Sequence, residues 1–181
     1  KDGQMLQAGH VYLAPGGKQM RLAKSGALVK IEITNDPPEN FCKPAVDYLF
    51  RSVADVYGAR ALGVIMTGMG ADGTRGMQVM KQHGVPSLAQ DKATSVVYGM
   101  PQEAFKAGVI DLVLPLEKIA DEIVGYDRDE DSLPLPRSTA FIKFMDWDDI
   151  GSHFIDPQKA IEFLCGEFRK LLPLYFFLTE K

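Results

Sequence analysis

The sequence predicts an α/β fold built on a doubly wound, mostly parallel sheet with a β-hairpin added to it. From residue 44 onwards, short apolar runs of strand length alternate with segments whose apolar residues recur at helical spacing. A glycine-rich turn at residues 68–73 joins one of these strands to the next helix, which is how sites form at the carboxyl edge of a parallel sheet. Alternation of this kind is typical of a sheet covered by helices on both faces.

The first part of the chain predicts strands without helices between them. Residues 10–15 alternate and are rich in strand formers. Residues 20–23 and 29–34 are two more strand-like runs, and Lys24-Ser25-Gly26 lies between them as a turn. This spacing predicts a hairpin, which a loop at residues 35–38 follows.

The middle of the chain predicts four helices alternating with three strands. In the first helix Val46, Leu49, Phe50 and Val53 recur at intervals of three and four residues. The helices are expected at 44–57, 74–81, 99–108 and 115–124, and the strands at 61–66, 85–89 and 109–114.

The composition shifts near Gly125, and a domain boundary is predicted there. Residues 1–126 form the predicted α/β domain, and 127–139 form an acidic, proline-spaced linker. The tail, 140–181, begins with a possible strand at 140–145 and contains an amphipathic helix that starts at Asp156-Pro157. Residues 174–178 are too apolar to remain in water alone, so we expect the tail to pack on its own domain, on a second copy or on a missing segment.

Composition and charge narrow the class of function. Hydrophobic residues make up 46% of the chain and charged residues 24%, as in soluble globular proteins. The net charge of −4 and the lack of a basic cluster argue against nucleic-acid binding, and no apolar run is long enough for membrane insertion. Cys42 and Cys165 lack metal-ligand spacing and are expected to be reduced thiols of a cytoplasmic protein. Because Lys1 opens the chain without a methionine, a fragment or a processed product is expected.

Two chemistries compete for the glycine-rich turn. Gly68, Gly70 and Gly73 spell G-x-G-x-x-G, and Asp91 lies 18 residues further on, near the spacing of a ribose-binding acid. Against a dinucleotide site, Asp72 within the turn would compete for the N–H groups that bind phosphate and would repel it. The other chemistry is a carboxylate at a strand end that orients a catalytic histidine. Asp72 is also suited to a plain loop or helix-cap role.

Four stretches together resemble one family. They are GHVYLAPGGKQM at 9–20, KPAVDYLF at 43–50, MTGMGADG at 66–73 and GMPQEA at 99–104. In this order and at these distances they resemble the catalytic domain of the chemotaxis receptor methylesterase, the CheB family, over residues 1–126. The second stretch follows the Arg-Pro-Ser-Val-Asp helix start of that family.

The resemblance implies a hydrolase without cofactor or metal. Family members hydrolyse methyl esters of glutamates on the cytoplasmic domain of chemoreceptors, and many deamidate glutamines, by Ser-His-Asp acyl transfer. Asp72 matches the aspartate, and Met69 matches the residue whose backbone N–H helps to hold the oxyanion. Gly68, Gly70 and Gly73 would shape the loop so that it approaches the ester. Partners implied by the family are the methylated receptor and an upstream receiver domain.

The serine loop and the histidine motif of the family are not found among the 181 residues. In the family both lie in an opening βαβα unit that precedes the stretch matched at 9–20. The sheet is therefore expected to be incomplete at its N-terminal end, and this chain alone is expected to be inactive.

Other residues are poor substitutes for that serine and histidine. His10 belongs to a strand start, His83 lies late in a helix where solvation and the helix dipole suit it, and His153 follows Ser152 in the tail. Thr94 and Ser95 resemble a strand position of the family.

Two positions depart from the family pattern. Ala45 and Gln19 replace a serine and a common histidine of the family, which puts substrate contacts there in doubt. The methionines are expected to pack in the core and loops rather than bind metal; they are Met66, Met69, Met77, Met80 and Met100.

Three functions follow from these observations. The first is part of a methylesterase and glutamine deamidase acting in chemotaxis. The second is a non-catalytic binding module of the same fold, suggested by the unfamiliar tail. The third is a nucleotide-binding protein that uses the glycine-rich turn.

Overall fold

A computed structural model describes residues 1–7, 10–128, 140–144 and 175–179. In these residues the strands are β1 (His10–Ala14), β2 (Gln19–Ser25), β3 (Leu28–Thr34), β4 (Ala61–Ile65), β5 (Ser87–Gln90), β6 (Leu112–Leu114), β7 (Ala140–Phe144) and β8 (Tyr175–Thr179). The helices are α1 (Val46–Tyr57), α2 (Thr74–Gln82), α3 (Met100–Lys106) and α4 (Leu116–Arg128), and a 3₁₀ turn covers Gly58–Arg60.

The main sheet has six strands in the order β1-β8-β7-β4-β5-β6, and every neighbouring pair is parallel. β2 and β3 form a separate antiparallel hairpin, in which Gln19 pairs with Thr34 and Ser25 with Leu28. The predicted α/β fold and the hairpin are therefore confirmed. All five residues of β4 are buried, as expected for a strand covered on both faces.

Helices cover the main sheet on both faces, so the fold is doubly wound. α1, α2 and α3 share a core with Tyr12, Ala14, Ile65 and Ala89 on one face. On the other face, Ile119 and Ile123 of α4 share a core with apolar residues of the central strands; these are Leu62, Val64, Met66 and Leu88. Crossovers between parallel strands are almost always right-handed, which places helices on opposite faces where the strand order reverses, as it does between the step from β4 to β6 and the return to β7.

The two tail strands lie inside the sheet. β7 pairs with β4 along its length, β8 pairs with β1, and Ala140 pairs with Tyr175 where β7 and β8 meet. Among the described residues, β1 thus pairs with the rest of the sheet only through β8. The strand expected at 140–145 is confirmed for 140–144, and the apolar residues 174–178 largely coincide with β8. The helix expected after Asp156 and the linker beyond residue 128 lie outside the described residues.

Two strands begin later than predicted because the preceding helix is closed by a residue that was assigned to the strand. The Val85 N–H donates to Met80 O of α2 (3.0 Å), so β5 starts at Ser87 instead of residue 85. The Val109 N–H donates to Ala104 O of α3 (3.4 Å), and β6 starts at Leu112 instead of residue 109. No helix among the described residues is both long enough and apolar enough to cross a bilayer.

Candidate active site

Asp72 lies at the carboxyl edge of the sheet, in the loop between β4 and α2, and is only 2% exposed. The Val46 N–H donates to its Oδ2 (2.8 Å), and the N–H groups of Asp47 (3.1 Å) and Gly73 (3.0 Å) donate to Oδ1. Val46 and Asp47 are the first two residues of α1, whose N-cap Ala45 offers no side-chain acceptor. Asp72 therefore caps a neighbouring helix, where the unsatisfied N–H groups and the helix dipole favour a carboxylate.

Asp47 in turn caps the N-terminus of α2. Its carboxylate is buried in the first turn of α1, and Oδ1 accepts the Gly76 N–H of the first turn of α2 (2.7 Å). The Asn40 side-chain amide donates to Asp47 Oδ2 (2.7 Å) and lies 3.5 Å from Asp72 Oδ1. Burial raises the pKa of Asp47 above its ordinary value and the charge of Asp72 adds to the rise, whereas the Gly76 N–H, Asn40 and Arg51 oppose it.

The structure requires glycine at three positions of the loop, for two different reasons. Gly73 is the N-cap of α2 at φ 92° and Gly70 has φ 88°, a left-handed conformation that other residues adopt only with strain. At Gly68 the reason is packing, because a Cβ there would lie 2.4 Å from Met100 Sδ. Gly68 thus makes room for the start of α3, and its predicted part in the approach to an ester stays a prediction.

The backbone that leads into Met69 is held at Gly68. The Gly68 N–H donates to Val97 O (3.0 Å), and Gly68 O accepts the Met100 N–H (2.8 Å). The Met69 side chain is 74% exposed, and its N–H donates to no atom of the residues that the structure describes. An N–H with no acceptor in the described residues is the kind of donor that can stabilise a developing oxyanion.

A buried polar network around Gln90 holds the start of the loop that follows β4. Gln90, at the end of β5, is 1% exposed; it accepts the Thr67 N–H (2.9 Å) and donates to Thr94 O (2.8 Å). The Thr94 hydroxyl donates to Asp91 (2.6 Å) and the Ser95 hydroxyl to Asp91 O (2.6 Å). Thr94 and Ser95 follow β5 and lie outside the strands, which corrects the strand position expected for them.

The same contacts bear on the dinucleotide hypothesis. Phosphate groups at a G-x-G-x-x-G turn bind the free N–H groups at the start of the following helix. In α2, the Gly73 N–H is taken by Asp72 and the Gly76 N–H by Asp47, while the Asp91 carboxylate is engaged by Thr94. A pyrophosphate here would meet two buried carboxylates, which disfavours this hypothesis.

The histidines in the described residues are far from Asp72. His10 is the first residue of β1 and His83 follows the last turn of α2, so both lie at the amino edge of a parallel sheet, opposite Asp72. His83 Nδ1 bonds with Val79 O (2.9 Å), and the His10 ring stacks on Tyr12. His153 lies outside the described residues. The described residues therefore bring no imidazole to Asp72.

Gln19 and Ala45 serve the backbone that leads into α1. Both are buried, at 0% and 1% exposed. Gln19 Oε1 accepts the Ala45 N–H (2.8 Å), and its Nε2 donates to Pro37 O (3.0 Å). In the described residues, the two positions therefore serve backbone packing, and their part in substrate contacts stays a prediction.

The remaining sequence candidates pack as ordinary side chains. Buried methionines contribute to the core as expected; they are Met66, Met77, Met80 and Met100. Cys42 is half-buried, with Sγ 3.4 Å from Asn40 O, and Cys165 lies outside the described residues. Among the described residues, no three side chains of metal-ligating type come together.

Sequence reasoning identified Asp72 but missed the residues that hold it. Asp47 lay within the matched stretch KPAVDYLF without being given a role, and its place in that stretch was the available signal. Asn40, Gln90 and Thr67 had no sequence signal that pointed to a role at the site.

Known proteins of one family resemble this chain. The family model described as CheB methylesterase matches residues 1–123. A protein-glutamate methylesterase/protein-glutamine glutaminase of Desulfotalea psychrophila is 57% identical over 126 residues, which are 68% of this chain and 35% of that protein. A second protein of this name, from Xanthomonas oryzae pv. oryzae, is 50% identical over 124 residues, with the same shares of 68% and 35%.

A solved structure agrees with these relatives. The crystal structure of the Thermotoga maritima CheB methylesterase catalytic domain matches with a TM-score of 0.66 and 37% identity, covering 67% of this chain and 65% of that chain. The present chain spans about a third of the length of the curated relatives, since it covers 35% of each of the two described.

Proposed function

This chain belongs to the CheB methylesterase family, and on that premise we propose that it supplies the aspartate and the oxyanion loop of a Ser-His-Asp hydrolase. The observation that supports this most directly is Asp72. It is a buried carboxylate at the carboxyl edge of the sheet, and Oδ2 accepts only one N–H from the described residues. One acceptor position of Oδ2 is left for an imidazole N–H, the role that a triad aspartate performs.

The proposed reaction is hydrolysis of glutamate methyl esters, with deamidation of glutamines as the related activity. A serine attacks the carbonyl carbon and transfers its proton to a histidine, which Asp72 holds in the correct tautomer. The Met69 N–H stabilises the oxyanion of the tetrahedral intermediate. Collapse of the intermediate releases methanol, or ammonia from glutamine, and water then hydrolyses the acyl-enzyme.

The serine and the histidine are proposed to come from the part of the relatives that this chain does not match. The substrate is the methylated cytoplasmic domain of a chemoreceptor, so the protein would act in the cytoplasm. An upstream receiver domain is the proposed regulatory partner. None of these steps requires a cofactor.

A chimera tests the proposal. Residues 1–123 of this chain replace the matched segment of the Desulfotalea psychrophila relative, and methanol release from methylated receptor is measured. We expect turnover by the chimera and none by the 181-residue chain alone. Asp72→Asn should lower kcat/KM about 10⁴-fold, because an amide imposes the wrong tautomer on the histidine.

Asp55→Asn is the matched control, because Asp55 is an aspartate of α1 whose side chain is 71% exposed, and the substitution should leave turnover intact. Melting temperatures of both variants separate unfolding from lost chemistry, since Asp72 also caps α1. Turnover that survives Asp72→Asn, or robust turnover by the chain alone, would contradict the proposal.

A binding module without chemistry is the second candidate. It is favoured by β7 and β8, which complete the sheet between β1 and β4 with residues of this chain. Capture of methylated receptor by the 181-residue chain, together with an inactive chimera, would favour this candidate.

A further inference from the structure

The turn at Glu39–Cys42 is held in an unfavourable conformation. The Cys42 N–H donates to Glu39 O (2.7 Å) and the Glu39 N–H to Cys42 O (3.1 Å). Between them Asn40 has φ 49° and Phe41 has φ 64°. Asparagine tolerates the left-handed region, but a bulky aromatic residue there is strained. Phe41 is fully exposed, so its packing does not offset this strain.

The turn positions the side-chain amide of Asn40. Nδ2 points inward and donates to Asp47 Oδ2 (2.7 Å), and it lies within 3.5 Å of Asp72 Oδ1. One amide therefore bridges two carboxylates that are 1% and 2% exposed. Strained residues that persist near a candidate site point to a functional constraint.

The bridge distinguishes the two oxygens of Asp72. Oδ1 receives the N–H groups of Asp47 and Gly73 and lies next to the Asn40 amide. Oδ2 receives only the Val46 N–H from the described residues. The carboxylate can rotate only by breaking these bonds, so its orientation is fixed before any imidazole binds.

We propose that Asn40 and Asp47 are positioning residues for Asp72, which saturate Oδ1 and leave Oδ2 as the oxygen that accepts the imidazole N–H. This inference rests on the proposed function. Asn40 acts through its bridging amide, and Asp47 acts by anchoring that amide and the start of α2. Neither residue touches the reacting atoms.

Asn40→Gly tests this role, because glycine relieves the strain at φ 49° while removing the amide. In the chimera we expect kcat to fall about tenfold with KM unchanged, the scale of a hydrogen bond to a charged group. The melting temperature should be unchanged or higher. Asn35→Gly, in the exposed part of the same loop, is the matched control and should leave kcat unchanged. A residue that only shapes the turn would tolerate glycine in both measurements.

A second readout uses the 181-residue chain itself. The side-chain NH₂ signals of Asn40 should shift with pH as Asp47 titrates, and Asp47→Asn should abolish that response. Charged groups near Asp47 are Asp72 and Arg51, the latter paired with Glu39. The NH₂ signals of Asn35, whose Oδ1 accepts from Lys18 Nζ, should respond to pH in the same way with and without Asp47→Asn.

The outcomes separate the two proposals. If Asp72→Asn abolishes turnover but Asn40→Gly keeps kcat, the positioning role is overturned and the proposed function stands. If the chimera has no Asp72-dependent turnover, the proposed function fails. In that case the Asn40 signals still decide whether the amide bridges the carboxylates, and signals that ignore the titration of Asp47 would overturn the bridge.

Discussion

At the scale of single residues, Asp47 carries a buried charge whose cost depends on pH. Burial raises its folded-state pKa, and the neighbouring Asp72 adds to the rise. The folded state therefore binds the proton more tightly than the unfolded state, where the pKa is about 3.9. Between these two values stability rises as pH falls, because protonation removes the buried charge only in the folded protein.

Asp47→Asn should remove this gain. Asparagine keeps an oxygen for the Gly76 N–H but does not titrate. The free energy of unfolding of the variant should therefore lack the rise that the parent chain shows on acidification. Urea unfolding of the 181-residue chain across that pH window measures the difference. Parallel profiles for the parent and the variant would contradict the raised pKa.

Asp36→Asn is a control in which the pH dependence of stability should have the opposite sign. The Tyr48 hydroxyl donates to Asp36, and this bond, with one from Thr34, holds the pKa of Asp36 below its ordinary value. Stability from Asp36 is therefore present above the unfolded-state pKa and is lost as pH falls through the folded-state value. The substitution should weaken the protein at neutral pH and change it less in acid.

At the scale of elements, α1 and α2 are joined by an exchange of caps at their first turns. Asp72, just before α2, caps α1, and Asp47, in α1, caps α2. The exchange requires the helices to lie close together, and Gly76 permits this. A Cβ on Gly76 would lie 2.6 Å from Phe50 Cβ and 3.1 Å from Asp47 Cα.

Gly76→Ala should therefore destabilise the protein, although alanine is the better helix former by about 1 kcal/mol. The clash with Phe50 should outweigh that preference, with a net loss of about 1–3 kcal/mol typical of overpacking. Gly16→Ala is the control, since no atom of the described residues lies within 4 Å of its added Cβ. Urea unfolding measures both variants, and a Gly76→Ala protein as stable as the parent would contradict the close approach.

The exchange also shows where sequence reasoning reached its limit. Asp72 was predictable because the strand, the glycines and the helix that place it are contiguous in sequence. Its donors Val46 and Asp47 lie 26 and 25 residues away, and Asn40 lies 32 residues away. Only the packing of α1 on α2 brings them together, and spacing in one chain carries no signal for it. The cap role weighed for Asp72 was correct in kind, but the helix it caps is α1.

At the scale of the whole molecule, the period of the apolar residues predicted most elements and the α/β class, but it did not predict the strand order. β4 was recognisable as a central strand because all its residues are apolar or glycine. The apolar pattern of β4 does not indicate which strands pair with it, because backbone hydrogen bonding is the same for any strand. The tail was expected to pack somewhere because residues 174–178 are apolar, yet its insertion between β1 and β4 follows only from the pairings.

Because β7 pairs with β4 along its length, interrupting β7 should expose one side of β4 and spare the other. The Gly63 N–H bonds Pro86 O on the β5 side (2.9 Å), so the alternating N–H groups of Leu62 and Val64 face β7. Ile142→Pro, at the centre of β7, removes a ladder donor. The Leu62 and Val64 amides should then exchange with solvent roughly tenfold faster, the scale of one lost hydrogen bond. Gly63 is the internal reference, and Lys92→Pro, in the exposed turn after β5, is the matched control. Unchanged exchange at Leu62 and Val64 would show that β4 does not depend on the tail, because a ladder cannot lose its partner and keep its protection.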